Sequence, residues 1–574
     1  MRSGDLLMRL ALLLATCVLV LPSHGQVEGR WGGQGTFPGW PSIFCVLELD
    51  GEESTLTTLP AQLMDQPIGA WSSSGESFSF EVDVHGTMFT VDGTSTGASI
   101  TGSIQKKGEE GTGSLDLVSY PEVSSMPGRK RWSSALQAGA MEIPMILDTA
   151  TGADGRLHAD LSIPSQQLVA FPLEVVPSDD GLVRMTLHAG AGPAIFETKL
   201  SDEKMTVNFE QGGFQQDLVF TADVDATTTY NRPQEPKPPF PYASREVQLS
   251  HPDGHTIAGT LTIPPGPGPH PAVVLITGSG LQDRNEEIMG HKPFLVLADH
   301  LTRKGIAVLR ADDRGAGDSF VPDRSTLLDL TTLDFASDTS LQVDYLLTQA
   351  DIDREHIGLI GHSEGAIVAP IVADQRTDIA FVVLLAGPCR PGIEMLADQN
   401  RRLMEVEGVD AETIEEVVEQ FIFVMGMVKD RASAEELAEP MRRLSILQTE
   451  TMGLDIEVDD AFVADAVKQA QLPWLQWYLS HDGSTVLSRL DMPILAINGS
   501  LDVQVLSEHE LPAIKRAAAG NPDVTTREYE GLNHLFQPAE TGSISEYERI
   551  EITIEPRVLE DMSSWINERS RNDE

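Results

Sequence analysis

HIGLIGHSEGAIVA, residues 356–369, is the stretch from which the architecture of the C-terminal half of the chain follows. An apolar run typical of a buried strand leads into Gly361-His362-Ser363-Glu364-Gly365. Small and branched residues typical of a helix follow at once. Strand, sharp turn and helix are the context in which the pattern G-x-S-x-G holds a serine hydroxyl at the tip of a strained turn. The stretch therefore predicts a nucleophile at Ser363, with Gly361 and Gly365 placed where a side chain would clash with the neighbouring elements.

The chain carries a second copy of this pattern, Gly93-Thr94-Ser95-Thr96-Gly97. A pattern this short arises by chance in a chain with 49 glycines, so its surroundings must decide. The second copy lies among polar residues, with no apolar strand before it and no helix after it. We interpret it as turns within a β domain and not as a catalytic site.

The N-terminus, residues 1–25, has the parts of a secretory signal. A basic segment precedes an apolar run too short to span a bilayer, and Ser23-His24-Gly25 resembles a cleavage site. Lipid attachment at Cys17 is disfavoured because Thr16 is a poor residue before a lipidated cysteine and the apolar run continues past it. No other stretch is long and apolar enough to span a membrane. The sequence therefore predicts a secreted or periplasmic protein.

Composition argues against several partners and cofactors. The net charge is −47, from 87 acidic and 40 basic residues, which argues against nucleic acid and anionic membrane surfaces and favours neutral substrates. After the signal only Cys45 and Cys389 remain, in different predicted domains, so we expect two buried free thiols. Cys and His lack metal-ligand spacing, so we predict no metal site.

In the region after the signal, apolar and polar residues alternate, and Gly, Ser and Thr interrupt the alternation. This pattern is typical of antiparallel β-strands. The pattern occurs twice, because residues 142–164 parallel residues 42–60 and later segments correspond at an offset of about a hundred residues. We predict two similar all-β units, residues 26–137 and 138–230. They form either two small sheets or one closed, barrel-like body.

The pattern changes after residues 231–243, a proline-rich stretch that we interpret as a stiff linker packed along the next domain. From residue 244 onward, apolar strands alternate with helices, which predicts a mostly parallel sheet covered on both faces. The alternation stops at about residues 389–488, where the pattern predicts helices alone. We expect an α/β domain over residues 244–574, interrupted by this helical segment. The segment forms either ordinary helical core or an apolar lid that lines an acyl pocket.

A serine nucleophile needs a histidine base within hydrogen-bond reach, and the base needs a carboxylate to orient it. In a sheet of this kind the chain order is serine, acid, histidine, with acid and base in loops after late strands. Asp502 follows the apolar strand PILAING, and His534 follows the strand VTTREYE. We therefore predict a catalytic triad of Ser363, Asp502 and His534.

Other acids and histidines near these strands fit this order less well. Asp491 precedes its strand and would lie at the wrong end of it, and Glu508 lies too far into the next helix. His509 begins that helix and His481 comes before the acid in the chain, so we reject both as the base.

The oxyanion that forms on attack needs two backbone N–H donors. One is the N–H of Glu364, in the sharp turn at residues 361–365, which we call the elbow. The other is expected in the loop after the apolar strand PAVVLITG, where we assign Ser279 and keep Gly280 in reserve. The Glu364 side chain has two open interpretations, as a wall of the site or as the partner of a loop group such as Arg284.

Residues 244–574 resemble the α/β-hydrolase superfamily, and within it the secreted or periplasmic esterases. The similarity is carried by TGSGLQDRNEE at residues 277–287, DDRGAGDS at 312–319 and GHSEG at 361–365, a combination more specific than any one motif. It implies an α/β-hydrolase fold with a cap, carboxylesterase activity on short or medium acyl esters and no cofactor. By position, it implies the same serine, aspartate and histidine as triad.

Two other classes of function stay open. A serine peptidase, amidase or acyltransferase uses the same nucleophile and base, and a comparison of amide and ester substrates separates these from an esterase. A non-catalytic binding protein is disfavoured because all three triad positions are filled.

Overall fold

The structure is a computed structural model of the chain. The predicted signal, residues 1–25, and Cys17 within it lie outside the residues that it describes. The chain divides into two compact units, one of residues 1–138 and 142–229 and the other of residues 139–141 and 230–574. The described residues are 29–36, 43–49, 54–58, 63–74, 77–84, 87–96, 99–107, 112–120, 122–138, 141–152, 155–164, 168–178, 180–189, 192–226, 231–451 and 457–570.

The first unit contains two antiparallel nine-stranded sheets. Its strands are β1 Gly29–Thr36, β2 Ile43–Leu49, β3 Thr55–Thr58, β4 Leu63–Pro67, β5 Gly69–Ser74, β6 Ser77–Val84, β7 Thr87–Ser95, β8 Ser99–Lys106, β9 Gly113–Ser119, β10 Lys130–Ala138, β11 Met141–Thr151, β12 Leu157–Ile163, β13 Leu168–Pro172, β14 Glu174–Pro177, β15 Val183–Ala189, β16 Gly192–Thr198, β17 Lys204–Gln211 and β18 Phe214–Ala222. The strand order is β4-β3-β2-β1-β9-β8-β7-β6-β5 in one sheet and β13-β12-β11-β10-β18-β17-β16-β15-β14 in the other. The second order repeats the first with every label raised by nine. The two similar all-β regions predicted from the sequence are therefore two similar sheets within the first unit.

Alternating side chains build the core of these sheets. In β17, Met205, Val207 and Phe209 are buried, whereas the side chains between them face solvent. This is the period of a strand with one buried face, which is why the sequence pattern locates the strands. The sheets contact each other through Phe44 of β2 and His188 of β15, whose rings stack with centroids 4.9 Å apart.

The second unit is an α/β structure. Its strands are β19 Ala243–Ser250, β20 Thr256–Ile263, β21 His270–Ile276, β22 Ala307–Ala311, β23 Ile352–His362, β24 Phe381–Leu385, β25 Ile494–Gly499 and β26 Val524–Tyr529. Its helices are α1 Pro293–Arg303, α2 Thr332–Thr348, α3 Gly365–Gln375, α4 Gly392–Val406, α5 Ala411–Lys429, α6 Ala434–Thr451, α7 Asp460–Ala470, α8 Pro473–Ser480, α9 Gly483–Leu487, α10 Ser507–Ala517 and α11 Pro556–Arg569.

The eight strands form one sheet in the order β19-β20-β22-β21-β23-β24-β25-β26. The pairs β19/β20 and β20/β22 are antiparallel, and all later neighbours are parallel. Apolar side chains of α2, α3 and α10 pack on one face, and those of α1 and α11 pack on the other. The central strands are buried on both sides, which is why they are continuous apolar runs in the sequence. The predicted α/β-hydrolase fold is confirmed in this sheet.

Helices α4 to α9 lie between β24 and β25. Helices α4 to α8 share a hydrophobic core of their own, with Val418, Val424 and Leu437 buried in it, whereas Leu487 of α9 packs in the core of the sheet. Among the described residues, the structure has no helix with the length and apolar character needed to cross a membrane. Cys45 and Cys389 are both buried and free of disulfides.

The proline-rich stretch before β19 is tied to the second unit by side-chain to backbone hydrogen bonds. The Arg232 guanidinium donates to the carbonyl oxygens of Met289 and Glu548, both at 3.0 Å. Gln234 Nε2 donates to the carbonyl oxygen of Ile554 at 2.7 Å. The stretch therefore packs along this unit.

Candidate active site

Ser363 lies on a sharp turn between the end of β23 and the start of α3. Its backbone φ is +51°, in the left-handed region that costs energy for a residue with a side chain. A Cβ on Gly361 would lie 2.0 Å from the carbonyl oxygen of Gly365, and one on Gly365 would lie 2.1 Å from that of Ile276. Both glycines are required because backbone segments approach each other closely at this turn. Ser363 keeps part of its surface exposed.

Asp502 and His534 come together from the loops after β25 and β26. Asp502 Oδ2 accepts a hydrogen bond from His534 Nδ1 at 2.8 Å, and both side chains are buried. Asp502 Oδ1 accepts from the backbone N–H groups of Gln504 and Val505, each at 2.8 Å. The carboxylate is thus fixed by its own loop, and it orients the imidazole.

His362, the residue before Ser363, links the elbow to the His534 loop. Its Nε2 donates to the carbonyl oxygen of His534 at 3.1 Å, and the two rings lie 4.7 Å apart between centroids. The residues predicted as acid, base and nucleophile therefore all follow the carboxyl ends of parallel strands, the edge at which ligand sites of open α/β sheets lie.

The residues that we rejected have other surroundings. Asp491 is exposed before β25, at the opposite end of that strand from Asp502. His509 lies in α10 with Nδ1 2.7 Å from an oxygen of Asp398, and the ring of His481 stacks on that of Trp477 at 4.6 Å.

Glu286 belongs to this site and was missed by the sequence analysis. Its Oε1 accepts from the backbone N–H of Gly278 and from His362 Nδ1, both at 2.8 Å. Its backbone φ is +53°, a strained conformation for glutamate, and its side chain is buried. The carboxylate therefore joins the loop after β21 to the elbow. The available signal was its place in the motif at residues 277–287.

The pKa of His362 is raised by this arrangement. Burial lowers the pKa of His362, but the charge and hydrogen bond of Glu286, the carbonyl of His534 and the charge of Asp502 together raise it more. Because both ring nitrogens have oxygen acceptors, the imidazolium form is the one that satisfies both contacts.

The loop after β21 leaves Ser279 and Gly280 exposed, and Gly280 has a φ of +93°. The N–H of Gly278 donates to Glu286, so it is already engaged, and the backbone positions that follow it in this loop are those of Ser279 and Gly280. The structure brings this loop beside the elbow, because a Cβ on Gly278 would lie 3.3 Å from the Cβ of Ser363.

The suggestion that Glu364 pairs with Arg284 is wrong. Arg284 Nη2 lies 2.6 Å from an oxygen of Asp312 and 2.8 Å from one of Asp318, and Nη1 lies 2.6 Å from Glu246. The charge of Arg284 is therefore used within its own acidic cluster. Glu364 is buried and has other partners, which are described below.

The interpretation of the second G-x-S-x-G copy as turns is also wrong for the residues that the structure describes in β7. Gly93 to Ser95 belong to β7 and pair with β8, so this is strand and not turn; Gly97 lies outside the described residues. A Cβ on Gly93 would lie 2.4 Å from Cζ of Phe78, which explains the glycine as room for a ring on the neighbouring strand.

Three potential metal ligands, His251, His255 and Asp338, have ligand atoms within 4.8 Å of one another. The Asp338 oxygens already accept from Arg314 Nε at 2.7 Å and Arg314 Nη2 at 2.8 Å, and His255 Nε2 lies 2.8 Å from Oδ1. His251 Nε2 lies 2.9 Å from Ser337 Oγ. Because a guanidinium neutralises the carboxylate, the donor set fits a buried ion-pair network and not a metal site.

Comparison with known proteins gives two matches in sequence. Residues 273–541 match the model of the alpha/beta hydrolase family. Esterase EstD of Thermotoga maritima is 29% identical over 316 residues, a match that covers 54% of this chain and 65% of that protein.

Comparison with solved structures gives matches of low TM-score. An esterase of Pyrococcus furiosus gives a TM-score of 0.35 at 15% identity and covers 60% of this chain and 100% of its own. Est1E from Butyrivibrio proteoclasticus gives 0.32 at 14% identity and covers 56% of this chain and 98% of its own. Scores this low do not by themselves establish a shared fold. The fold follows instead from the strand order of the second unit, and residues 273–541 are similar in sequence to the alpha/beta hydrolase family.

Proposed function

We propose that this chain is a serine carboxylesterase that hydrolyses short or medium acyl esters through Ser363, His534 and Asp502. The observation that carries the proposal is the elbow, where a strained, partly exposed Ser363 follows His362, whose ring contacts His534 of the hydrogen-bonded pair with Asp502. The name of the relative in Thermotoga maritima supports the ester as substrate class.

In the proposed reaction, Ser363 Oγ attacks the ester carbonyl carbon while His534 Nε2 takes the hydroxyl proton. Asp502 Oδ2 accepts from Nδ1 of the same ring, which leaves Nε2 as the basic nitrogen and stabilises the imidazolium. His534 then gives the proton to the leaving alcohol oxygen. Water, deprotonated by His534, hydrolyses the acyl-enzyme and restores the serine. The chemistry needs no cofactor.

The oxyanion of each tetrahedral intermediate would be held by the backbone N–H groups of Glu364 and Ser279, with Gly280 in reserve for the second. The first of these N–H groups belongs to the N-cap residue of α3, so the positive end of the helix dipole adds to its effect. Glu286 supports the arrangement because it fixes the loop at Gly278, one residue before Ser279.

The net charge of −47 supports a neutral small-molecule ester over an anionic substrate, because the field of the protein would repel anions. We also propose export of the chain, to the periplasm or beyond the cell, with removal of residues 1–25. N-terminal sequencing of the mature protein tests this, and a mature chain that begins at Met1 would contradict it.

A panel of acyl esters and amides tests the reaction class. We expect hydrolysis of p-nitrophenyl acetate and butyrate, with kcat/KM at least about 100-fold above that for aminoacyl p-nitroanilides. The Ser363→Ala variant supplies the blank for each substrate. Preferred cleavage of the anilides would replace the esterase by a peptidase, and transfer to an added alcohol in preference to water would replace it by an acyltransferase.

A further inference from the structure

The buried side chain of Glu364 joins three parts of the second unit. Its Oε1 accepts from the hydroxyl of Thr332, the first residue of α2, at 2.6 Å. The same oxygen accepts from Nε1 of Trp474 in α8, within the helical insertion, at 2.8 Å. The Ser279 hydroxyl interacts with the carboxyl from the loop after β21. One carboxyl therefore contacts the core, the insertion and the loop that would supply the second oxyanion donor.

The second oxygen, Oε2, is buried and lacks a partner in full hydrogen-bond geometry, so the Ser279 hydroxyl is near but not ideally placed. Burial raises the pKa of Glu364, and the hydrogen bonds from Thr332, Trp474 and Ser279 offset only part of the rise. Oε1 already accepts two hydrogen bonds. Oε2 is therefore the oxygen with spare hydrogen-bonding capacity.

We propose that Glu364 is a positioning residue, whose carboxyl fixes the Ser279 loop and helix α8 in place around Ser363. This inference rests on the ester hydrolysis proposed above. Because both neighbours bind the same carboxyl, a displacement of the insertion is transmitted to the oxyanion loop. Glu364 thus has two roles. Its backbone N–H donates to the oxyanion, and its side chain holds the loop that carries the other donor.

The arrangement predicts different effects for two substitutions of nearly equal size. Glu364→Gln keeps a carbonyl oxygen for Thr332 and Trp474 and has an N–H donor toward Ser279. Glu364→Met fills the same space and keeps none of these hydrogen bonds. We expect kcat for p-nitrophenyl acetate to fall less than about fivefold for Gln. For Met we expect a fall of about 100-fold, the size seen when one oxyanion donor is lost.

The decisive readout is the split between kcat and KM. A displaced oxyanion donor weakens binding of the transition state alone, so kcat falls while KM changes less than about threefold. The rate is divided by the number of sites that a fluorophosphonate labels at completion, so a partly unfolded sample does not imitate the effect. A kcat for Glu364→Met within about fivefold of wild type would overturn the proposal, as would equal losses for Gln and Met.

Two further variants decide the matter if Glu364→Met does not fold. Thr332→Val and Trp474→Phe each remove one donor to Oε1 and keep most of the side-chain shape. We expect kcat per labelled site to fall about fivefold in each, and unchanged kcat in both would overturn the proposal. Failure of the proposed esterase itself looks different. In that case Ser363→Ala keeps its activity, whatever the Glu364 variants do.

Discussion

Ser95 and Ser363 occupy the same position of the same G-x-S-x-G pattern, in two units of different architecture. Ser95 ends β7, opposite Ile100 of a neighbouring antiparallel strand, and is buried. Ser363 follows β23, a central strand of the parallel sheet, and has a left-handed backbone with φ of +51° before α3 begins. The two copies have glycines at the same positions of the pattern. The described glycines of the two copies, however, leave space for different neighbouring groups.

The difference lies in what each glycine makes room for. Gly93 leaves space for the ring of Phe78, whereas Gly361 and Gly365 leave space for backbone carbonyl groups. A parallel strand must be followed by a crossover, and here the chain turns directly into a helix that passes close to the sheet. That tight turn strains the serine and presents its hydroxyl. A hairpin partner, such as β8 beside β7, imposes no such turn.

The largest expected effect separates the two serines directly. Ser363→Ala should lower kcat for p-nitrophenyl acetate by about 100,000-fold or more, because it removes the nucleophile. Ser95→Ala, the matched control, should stay within about twofold of wild type, because Ser95 lies in β7 of an antiparallel sheet and outside the proposed triad. Activity of Ser363→Ala within about tenfold of wild type would end the assignment.

The next effect concerns the acid. Asp502→Asn should lower kcat about 10,000-fold, because an amide in this position favours the wrong tautomer of His534. Asp491→Asn is the control, since Asp491 is exposed at the other end of β25. Steady-state kinetics on the same ester measures both. Comparable losses in the two variants would mean that charge and not position is responsible.

Substitution of an elbow glycine tests the backbone argument. Gly361→Ala should lower the free energy of unfolding of the second unit by about 3 kcal/mol, because its Cβ would lie 2.0 Å from a carbonyl oxygen. Gly426→Ala in α5 is the control, as its Cβ would have nothing within 4 Å and alanine favours a helix. Urea denaturation followed by far-UV circular dichroism measures the difference. A Gly361→Ala variant as stable as wild type would contradict the close approach.

The smallest expected effect is a dependence of the free energy of unfolding on pH, and it arises from His362 next to Ser363. The pKa of His362 in the fold is raised above its ordinary 6.5, so the stabilisation from its pairing with Glu286 is complete below pH 6.5. It is lost as the pH rises through the folded pKa. The free energy of unfolding of the second unit should therefore decline with increasing pH above 6.5.

Glu286→Gln should flatten this decline, because the charge that raises the pKa of His362 is gone. Glu287→Gln, a change at the adjacent residue whose carboxylate lies 3.7 Å from Lys292, should keep it. Urea titrations at several pH values measure the slopes. An identical slope in wild type and Glu286→Gln would show that this pair does not titrate as described.

The positions of Asp502 and His534 could be predicted because each follows a strand whose apolar or alternating pattern is visible in the sequence. Glu286 could not, because its role depends on a loop that folds back onto His362, 76 positions away in sequence. The β7 error has a similar origin. Gly93 suggested a turn, and only the contact with Phe78 from the paired strand shows why a glycine belongs inside a strand. Local patterns thus predict elements, whereas contacts between elements determine these exceptions.

The claim that Ser363 is the nucleophile is tested most directly by mapping where a fluorophosphonate reacts with the intact protein. Tryptic peptides of the labelled chain are identified by mass spectrometry, and remaining ester hydrolysis is measured in the same sample. We predict one adduct, on Ser363, with activity lost in proportion to labelling. An adduct on another serine, or full labelling of Ser363 with ester hydrolysis intact, would contradict the account.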